Sequence, residues 1–294
     1  MKSNRAFNLL GSSALFASNI LVCAALFLLR HSADNAGTRT LYLLGANGLA
    51  ALLGFLPFRK ENTLRIDRPM MAVAVWSACY CTEYGLFLVY PGVISLSQLI
   101  VCNSLAPFLA VYVSSDAQRS ALSVSYRLLS IAPVFFLLGI SWLERRARQR
   151  SQVAYADLIL LCVYLSVVIS QSCARYVARY RSPSWSQPRL TVLNALFLAV
   201  VLGVVHSQSK ATIQLPFAVV FCVFAGVAVL LIQRLYIFGL KKADPFISAM
   251  ALCTIVPLSL VTDMLFEHRT VSLTEIILAA GYVIATGVGV RSVS

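Results

Sequence analysis

Residues 216–240 read PFAVVFCVFAGVAVLLIQRLYIFGL, and Arg234 is the single charged side chain among them. An α-helix rises about 1.5 Å per residue, so a helix of this length crosses the roughly 30 Å hydrocarbon core of a bilayer. Nine further stretches of the chain have the same apolar character. The sequence therefore predicts ten transmembrane helices, at residues 7–29, 40–58, 69–90, 92–114, 124–143, 155–178, 190–207, 216–240, 245–266 and 273–290.

The composition agrees with a membrane protein that has almost no soluble part. The 294 residues are 59% hydrophobic and 12% charged, with a mean hydropathy of +0.81, whereas soluble domains carry about 25% charged residues. The segments between the predicted helices are too short to fold as separate domains. We therefore predict one all-α membrane domain over residues 1–294.

The net charge of +13 does not indicate a nucleic-acid-binding protein, because Lys and Arg lie between apolar stretches and form no patch with aromatic residues. With the N-terminus in the cytoplasm, thirteen Lys and Arg residues of the loops lie inside and eight lie outside. Basic residues favour the cytoplasmic side, and only the loop ERRARQR at 144–150 runs against this rule. The pattern predicts a protein of the bacterial inner membrane with both termini in the cytoplasm.

The ten predicted helices divide into two groups of five, residues 1–143 and 155–294, on either side of the charged break at 144–154. A shift of 150 residues places Pro107 on Pro257 and Arg119 on Arg269. Because each group has an odd number of helices, the two must lie in opposite orientations. This arrangement predicts an inverted repeat with a binding site near the membrane midplane.

The second half of the chain carries an ordered set of features. It has an aromatic residue, a short break that starts a helix, a central proline, an acidic and basic turn, and glycines in the last stretch; these are Tyr236, residues 243–245, Pro257, Glu267 with Arg269, and Gly281, Gly287 and Gly289. Residues 235–290 thereby resemble the last three helices of EamA-type permeases, in the drug/metabolite transporter superfamily. The first half fits more loosely, since Pro107 matches and only Asp116 stands for the acidic turn.

The resemblance implies a secondary transporter of small organic solutes. It implies both termini in the cytoplasm and a cavity lined mainly by predicted helices 1, 3, 4, 6, 8 and 9. The expected partners are a small organic solute, membrane lipid and a coupling proton or cation, with no cofactor. The substrate, the direction of transport and the oligomeric state stay open at this stage.

Charged groups at membrane depth cost about 2.5 to 3.5 kcal/mol on insertion scales, so Glu83 is the leading site candidate. It lies seven residues from the end of its predicted helix, too deep for a short side chain to reach the interface. Trp76 and Tyr80 share its helical face by the i, i+4, i+7 spacing. An aromatic wall with one carboxylate fits a cationic or zwitterionic solute, or a proton carrier. The alternative is a glutamate that only fixes helix packing.

Gln233 occupies the repeat position equivalent to Glu83, and Arg234 follows it. Arg234 either faces the cavity, where it would bind a carboxylate or phosphate, or extends to the interface. Gln98 and Asn103 are further cavity candidates, although amides in membrane helices often bond across helices instead. Arg175 lies near a predicted cytoplasmic end, which favours an interfacial anchor.

No residue pattern indicates an enzyme or a metal site. The three histidines lie near helix ends, and the chain has no HExxH, GxSxG or Walker-type loop. Two alternatives to a transporter stay open. One is a non-transporting membrane helper or receptor, and the other, less favoured, is a lipid-acting membrane enzyme.

Overall fold

The computed structural model describes residues 2–32, 35–55, 67–89, 106–120, 122–124, 127, 156–206 and 215–255, with a few separate positions between 257 and 284. All regular secondary structure in this part of the chain is helical. The helices are α1 (Lys2–Ser32), α2 (Ala36–Phe55), α3 (Arg68–Val89), α4 (Ala156–Tyr180), α5 (Pro183–His206), α6 (Leu215–Lys242) and α7 (Pro245–Cys253). Residues 106–113 are also helical, and a short 3-10 helix covers Asp116–Arg119.

Four of these helices are long and apolar enough to cross a membrane, which is compatible with an integral membrane protein. The spans are Ala6–Leu29, Leu161–Tyr180, Pro183–Val205 and Phe217–Lys242. The predicted helices 92–114, 124–143 and 273–290 lie largely outside the described residues, as does the end of 245–266. The number of ten helices and the inverted repeat therefore remain predictions.

The predicted start of the helix at residue 190 is wrong, because α5 already begins at Pro183. The Ser182 hydroxyl accepts a hydrogen bond from the Trp185 amide at 3.2 Å, as an N-terminal cap does. Pro188 lies inside the second turn of the helix. Arg189, expected in a cytoplasmic loop, is buried and donates to the Trp185 carbonyl at 2.7 Å, with its guanidinium 4.3 Å from the indole centroid.

Asp67 caps the start of α3 and ties it to the turn between α4 and α5. Its Oδ1 accepts from the Met70 amide at 2.9 Å, and its Oδ2 pairs with the Arg181 guanidinium. The Met70 hydrogen bond is the main reason that the pKa of Asp67 lies below its ordinary value of 3.8. A lowered carboxyl pKa stabilises the fold above pH 3.8, and this stabilisation is lost as the pH falls through the lower pKa of the folded protein.

The helices pack in an order that leaves space between them at the centre. α1 lies along α6, α2 lies against α5 and α6, and α3 packs on α4 and α5. One core cluster joins α3, α4, α5 and α6 through the buried side chains of Val73, Val177, Leu190 and Ile237. These contacts hold the inner faces of the helices at fixed distances around a cavity.

The contact between α1 and α6 depends on two glycines. A Cβ atom at Gly239 would lie 2.5 Å from Leu15 Cγ and 2.9 Å from the Gly11 carbonyl oxygen, and a Cβ at Gly11 would lie 2.6 Å from the Ala243 nitrogen. Small residues let the backbones of membrane helices approach this closely. The α1–α6 pair therefore has no room for a larger residue at either position.

We expect Gly239→Ala to destabilise the protein by about 1 to 3 kcal/mol, the usual cost of overpacking. Gly203→Ala is the matched control, because no atom lies within 4 Å of the position of its Cβ, and alanine is the better helix former by about 1 kcal/mol. Thermal unfolding of the purified protein in detergent measures both. Equal melting temperatures for the two variants would contradict a close α1–α6 contact.

Candidate functional site

A cavity of about 180 Å³ lies between the seven helices, and we call it the central cavity. Each of the seven helices contributes at least one residue to its wall. The polar and aromatic lining residues are Ser18, Asn19, Trp76, Tyr80, Glu83, Tyr84, Ser170, Gln171, Asn194, Gln233 and Tyr236. The remaining lining residues, apart from Phe221, are aliphatic, so the wall combines a few polar groups with a large apolar surface.

Glu83 lies in the wall of the central cavity and is only 3% exposed. Trp76 and Tyr80 line the same wall from the same face of α3. Their placement agrees with the shared face that the sequence predicts, while their role stays a prediction. Within the described residues, Glu83 is the only acidic or basic side chain that lines the cavity.

Aromatic side chains form pairs on the cavity wall. The rings of Trp76 and Tyr236 are 6.0 Å apart between centroids and tilted by 48°, and those of Tyr80 and Tyr84 are 4.5 Å apart and tilted by 45°. The Tyr236 hydroxyl donates a hydrogen bond to Gln171 Oε1, which joins α6 to α4. Such tilted pairs are favourable ring geometries, and all four rings belong to residues that line the cavity.

Two asparagines of the wall use their amide groups to hold helices together. Asn19 Nδ2 donates to the carbonyls of Ala251 and Leu252 at 3.1 and 2.9 Å and to Thr254 Oγ1 at 3.1 Å. The two carbonyls lie at the C-terminal end of α7, where carbonyl groups accept from partners outside the regular helix pattern. Asn19 therefore ties α1 to the end of α7.

Asn194 makes the second of these links. Its Oδ1 accepts from the Ser77 hydroxyl at 2.6 Å, and its Nδ2 donates to Asn47 Oδ1 at 3.4 Å. The three residues join α5 to α3 and α2. Both asparagines thus act as cross-helix amides, and the Nδ2 group of each donates to a protein acceptor.

Gln233 and Arg234 lie on different sides of α6. Gln233 lines the central cavity and is 8% exposed, and its Oε1 has no hydrogen-bond partner. Arg234 is exposed and does not line the cavity, because consecutive residues of a helix point about 100° apart. The structure therefore brings Gln233, and not Arg234, to the wall of the central cavity, and the role of Arg234 stays a prediction. The candidates Gln98 and Asn103 lie outside the described residues.

Arg175 is buried, although its position in the sequence favoured an interfacial anchor. It is 4% exposed, and its Nη1 donates to Ser248 Oγ at 2.9 Å. Its Nε and Nη2 have no hydrogen-bond partner. Arg175 lies one turn beyond Gln171 on α4 and is not part of the cavity wall. The sequence does not show this burial, because α7 covers the side chain only in the folded protein.

Comparisons with known proteins establish the fold and leave the function open. No family model and no curated protein matches the sequence. Twenty-six chains of solved structures match. One, described only as the crystal structure of a protein, covers 98% of this chain and 99% of its own, with a TM-score of 0.68 and 14% sequence identity. At this identity the two chains share a fold along their whole length, and the similarity carries no information on function.

Proposed function

We propose that the protein is a secondary transporter that moves a small organic solute across a membrane by alternating access. The observation that carries the proposal is the central cavity, with its buried Glu83. A carboxylate among membrane helices is costly, and such groups usually mark a solute or ion pathway. The hydrogen bonds of Asn19 and Asn194 account for these two residues as links between helices, and on this proposal Glu83 is the charged group of the solute pathway.

The size and chemistry of the cavity support a small solute. Its volume of about 180 Å³ is below the range of about 300 to 1,000 Å³ that is typical of pockets for drug-sized molecules. A mostly apolar wall with a few polar groups is also typical of small-molecule sites. The proposed occupant is therefore a metabolite with an apolar body and one or two polar groups.

The resemblance to EamA-type permeases supports the same proposal. Tyr236, the aromatic residue of that resemblance, lines the central cavity. Asp244 and Pro245, from the short break, start α7, where the Asp244 side chain caps the helix and Pro245 occupies the first turn. On this proposal the chain has ten helices in two inverted repeats, with both termini in the cytoplasm of a bacterium and the loop 144–150 outside.

Solute flux in proteoliposomes tests the proposal. Liposomes that contain the purified chain are loaded with a metabolite extract, diluted into buffer, and analysed by mass spectrometry for solutes that leave faster than from empty liposomes. We expect selective loss of one solute or of one chemical class. Loss of none, in liposomes where ligand binding is still measurable, would contradict a transporter and favour the membrane receptor.

A further inference from the structure

We infer that the solute of the central cavity carries a protonated amine, which binds Glu83 and Gln233 beside the aromatic wall. The inference rests on the proposed function and goes beyond it by naming the chemical class of the solute. Three features of the cavity carry it: the sign of its charge, the Gln233 acceptor oxygen that has no hydrogen-bond partner, and the aromatic side chains.

The charge of the wall selects a cation. Glu83 is the only charged side chain that lines the cavity within the described residues, and no Lys, Arg or His lines it there. The buried Arg175 lies outside the wall, one turn beyond Gln171 on α4; its Nη1 donates to Ser248, and its Nε and Nη2 have no hydrogen-bond partner. Because charges interact more strongly in a buried site than in water, a carboxylate at this wall disfavours anions and favours a positively charged group.

The hydrogen-bonding groups select a donor. The amide donors of Asn19 and Asn194 and the hydroxyl of Tyr236 already bind protein acceptors. Gln233 Oε1, by contrast, is a buried acceptor at the cavity wall without a donor. Buried polar atoms are nearly always hydrogen-bonded, so an unpaired one needs an explanation. A ligand N–H at this position supplies the missing donor.

A primary ammonium satisfies both requirements. It carries one positive charge and three N–H donors and accepts no hydrogen bond, so it can bind a carboxylate and an amide oxygen together. The faces of Trp76 and Tyr80 attract cations as well. The apolar lining residues, among them Val22 and Leu43, suit a hydrocarbon or aromatic body attached to the amine.

Binding of four matched probes to the purified full-length chain in lipid nanodiscs tests the inference. The probes share a phenylethyl-type body and differ in the polar group: phenethylammonium, its N,N,N-trimethyl derivative, the neutral 2-phenylethanol and the anionic phenylacetate. We expect phenethylammonium to bind at least tenfold more tightly than the alcohol and the acid. We also expect it to bind more tightly than the trimethyl derivative, which has the charge but no N–H donor.

Two variants assign these preferences to the two residues. Glu83→Gln should weaken binding of both cations at least tenfold, whereas Gln233→Met should remove only the preference for the N–H donor. Arg234→Gln is the matched control on α6, since Arg234 is exposed, and should bind like the unchanged protein. Size-exclusion elution and thermal unfolding show which variants are folded. If one variant does not fold, the ranking of the four probes by affinity for the unchanged chain still tests the amine inference.

The outcomes separate this inference from the proposed function. If phenylacetate or 2-phenylethanol bound as tightly as phenethylammonium or more tightly, the amine site would be overturned. Unchanged binding of phenethylammonium to Glu83→Gln would overturn it as well. Flux of a solute without an amine would overturn the amine inference and keep the proposed function as a transporter. Amine binding without flux of any solute would keep the site and overturn the transporter.

Discussion

Replacement of Glu83 by Gln is expected to reduce solute transport at least tenfold while leaving expression and folding unchanged. Gln keeps the shape of the side chain and most of its hydrogen bonding but has no charge and does not titrate. A hydrogen bond to a charged group contributes about 1.5 to 3 kcal/mol, and about 1.4 kcal/mol corresponds to a factor of ten. Rates of solute uptake by proteoliposomes, normalised to the amount of folded protein, measure the effect.

Arg234→Gln is the control for that measurement, and it should leave transport close to normal because Arg234 is exposed on α6. The double variant should then behave like Glu83→Gln alone. Recovery of transport in the double variant would indicate an ion pair between the two residues, since removal of both charges avoids leaving one buried and unpaired. Normal transport by Glu83→Gln at every pH would show that Glu83 serves helix packing and has no role in transport.

Helix positions follow from the sequence wherever a long apolar stretch has clear ends. The predicted stretches 7–29 and 216–240 lie wholly inside α1 and α6, and the stretch 155–178 extends one residue before the start of α4. The start of α5 could not be predicted from the sequence, because the polar residues 182–189 have the pattern of a loop. A serine cap and the packing of Arg189 on Trp185 make this segment helical, and neither is visible as hydrophobicity.

Residues of the cavity wall could be predicted from the sequence where a polar side chain stands out among apolar neighbours. Glu83 and its aromatic face are of this kind, since a charge in a membrane helix needs a reason. The choice between Gln233 and Arg234 was not predictable, because α6 is apolar on all sides and its pattern does not show which face turns inward. Gln171, Tyr84 and the burial of Arg175 escaped prediction for a related reason: their roles depend on neighbours from other helices.

The central claim is that the cavity opens in turn to each side of the membrane. A single cysteine at Ala225, which lines the cavity from α6, reports on this in a chain from which the eight native cysteines have been removed. Val227 lies on the same helix, is 43% exposed and does not line the cavity. A cysteine at 227 therefore serves as the control for labelling that does not pass through the cavity.

A membrane-impermeant thiol reagent is applied to right-side-out and to inside-out vesicles, and the labelled fraction of each variant is measured. Alternating access predicts that Ala225→Cys is labelled in both kinds of vesicle, that Val227→Cys is labelled in neither, and that phenethylammonium protects the cysteine at 225. Labelling of Ala225→Cys from one side only, or from neither, would contradict the account.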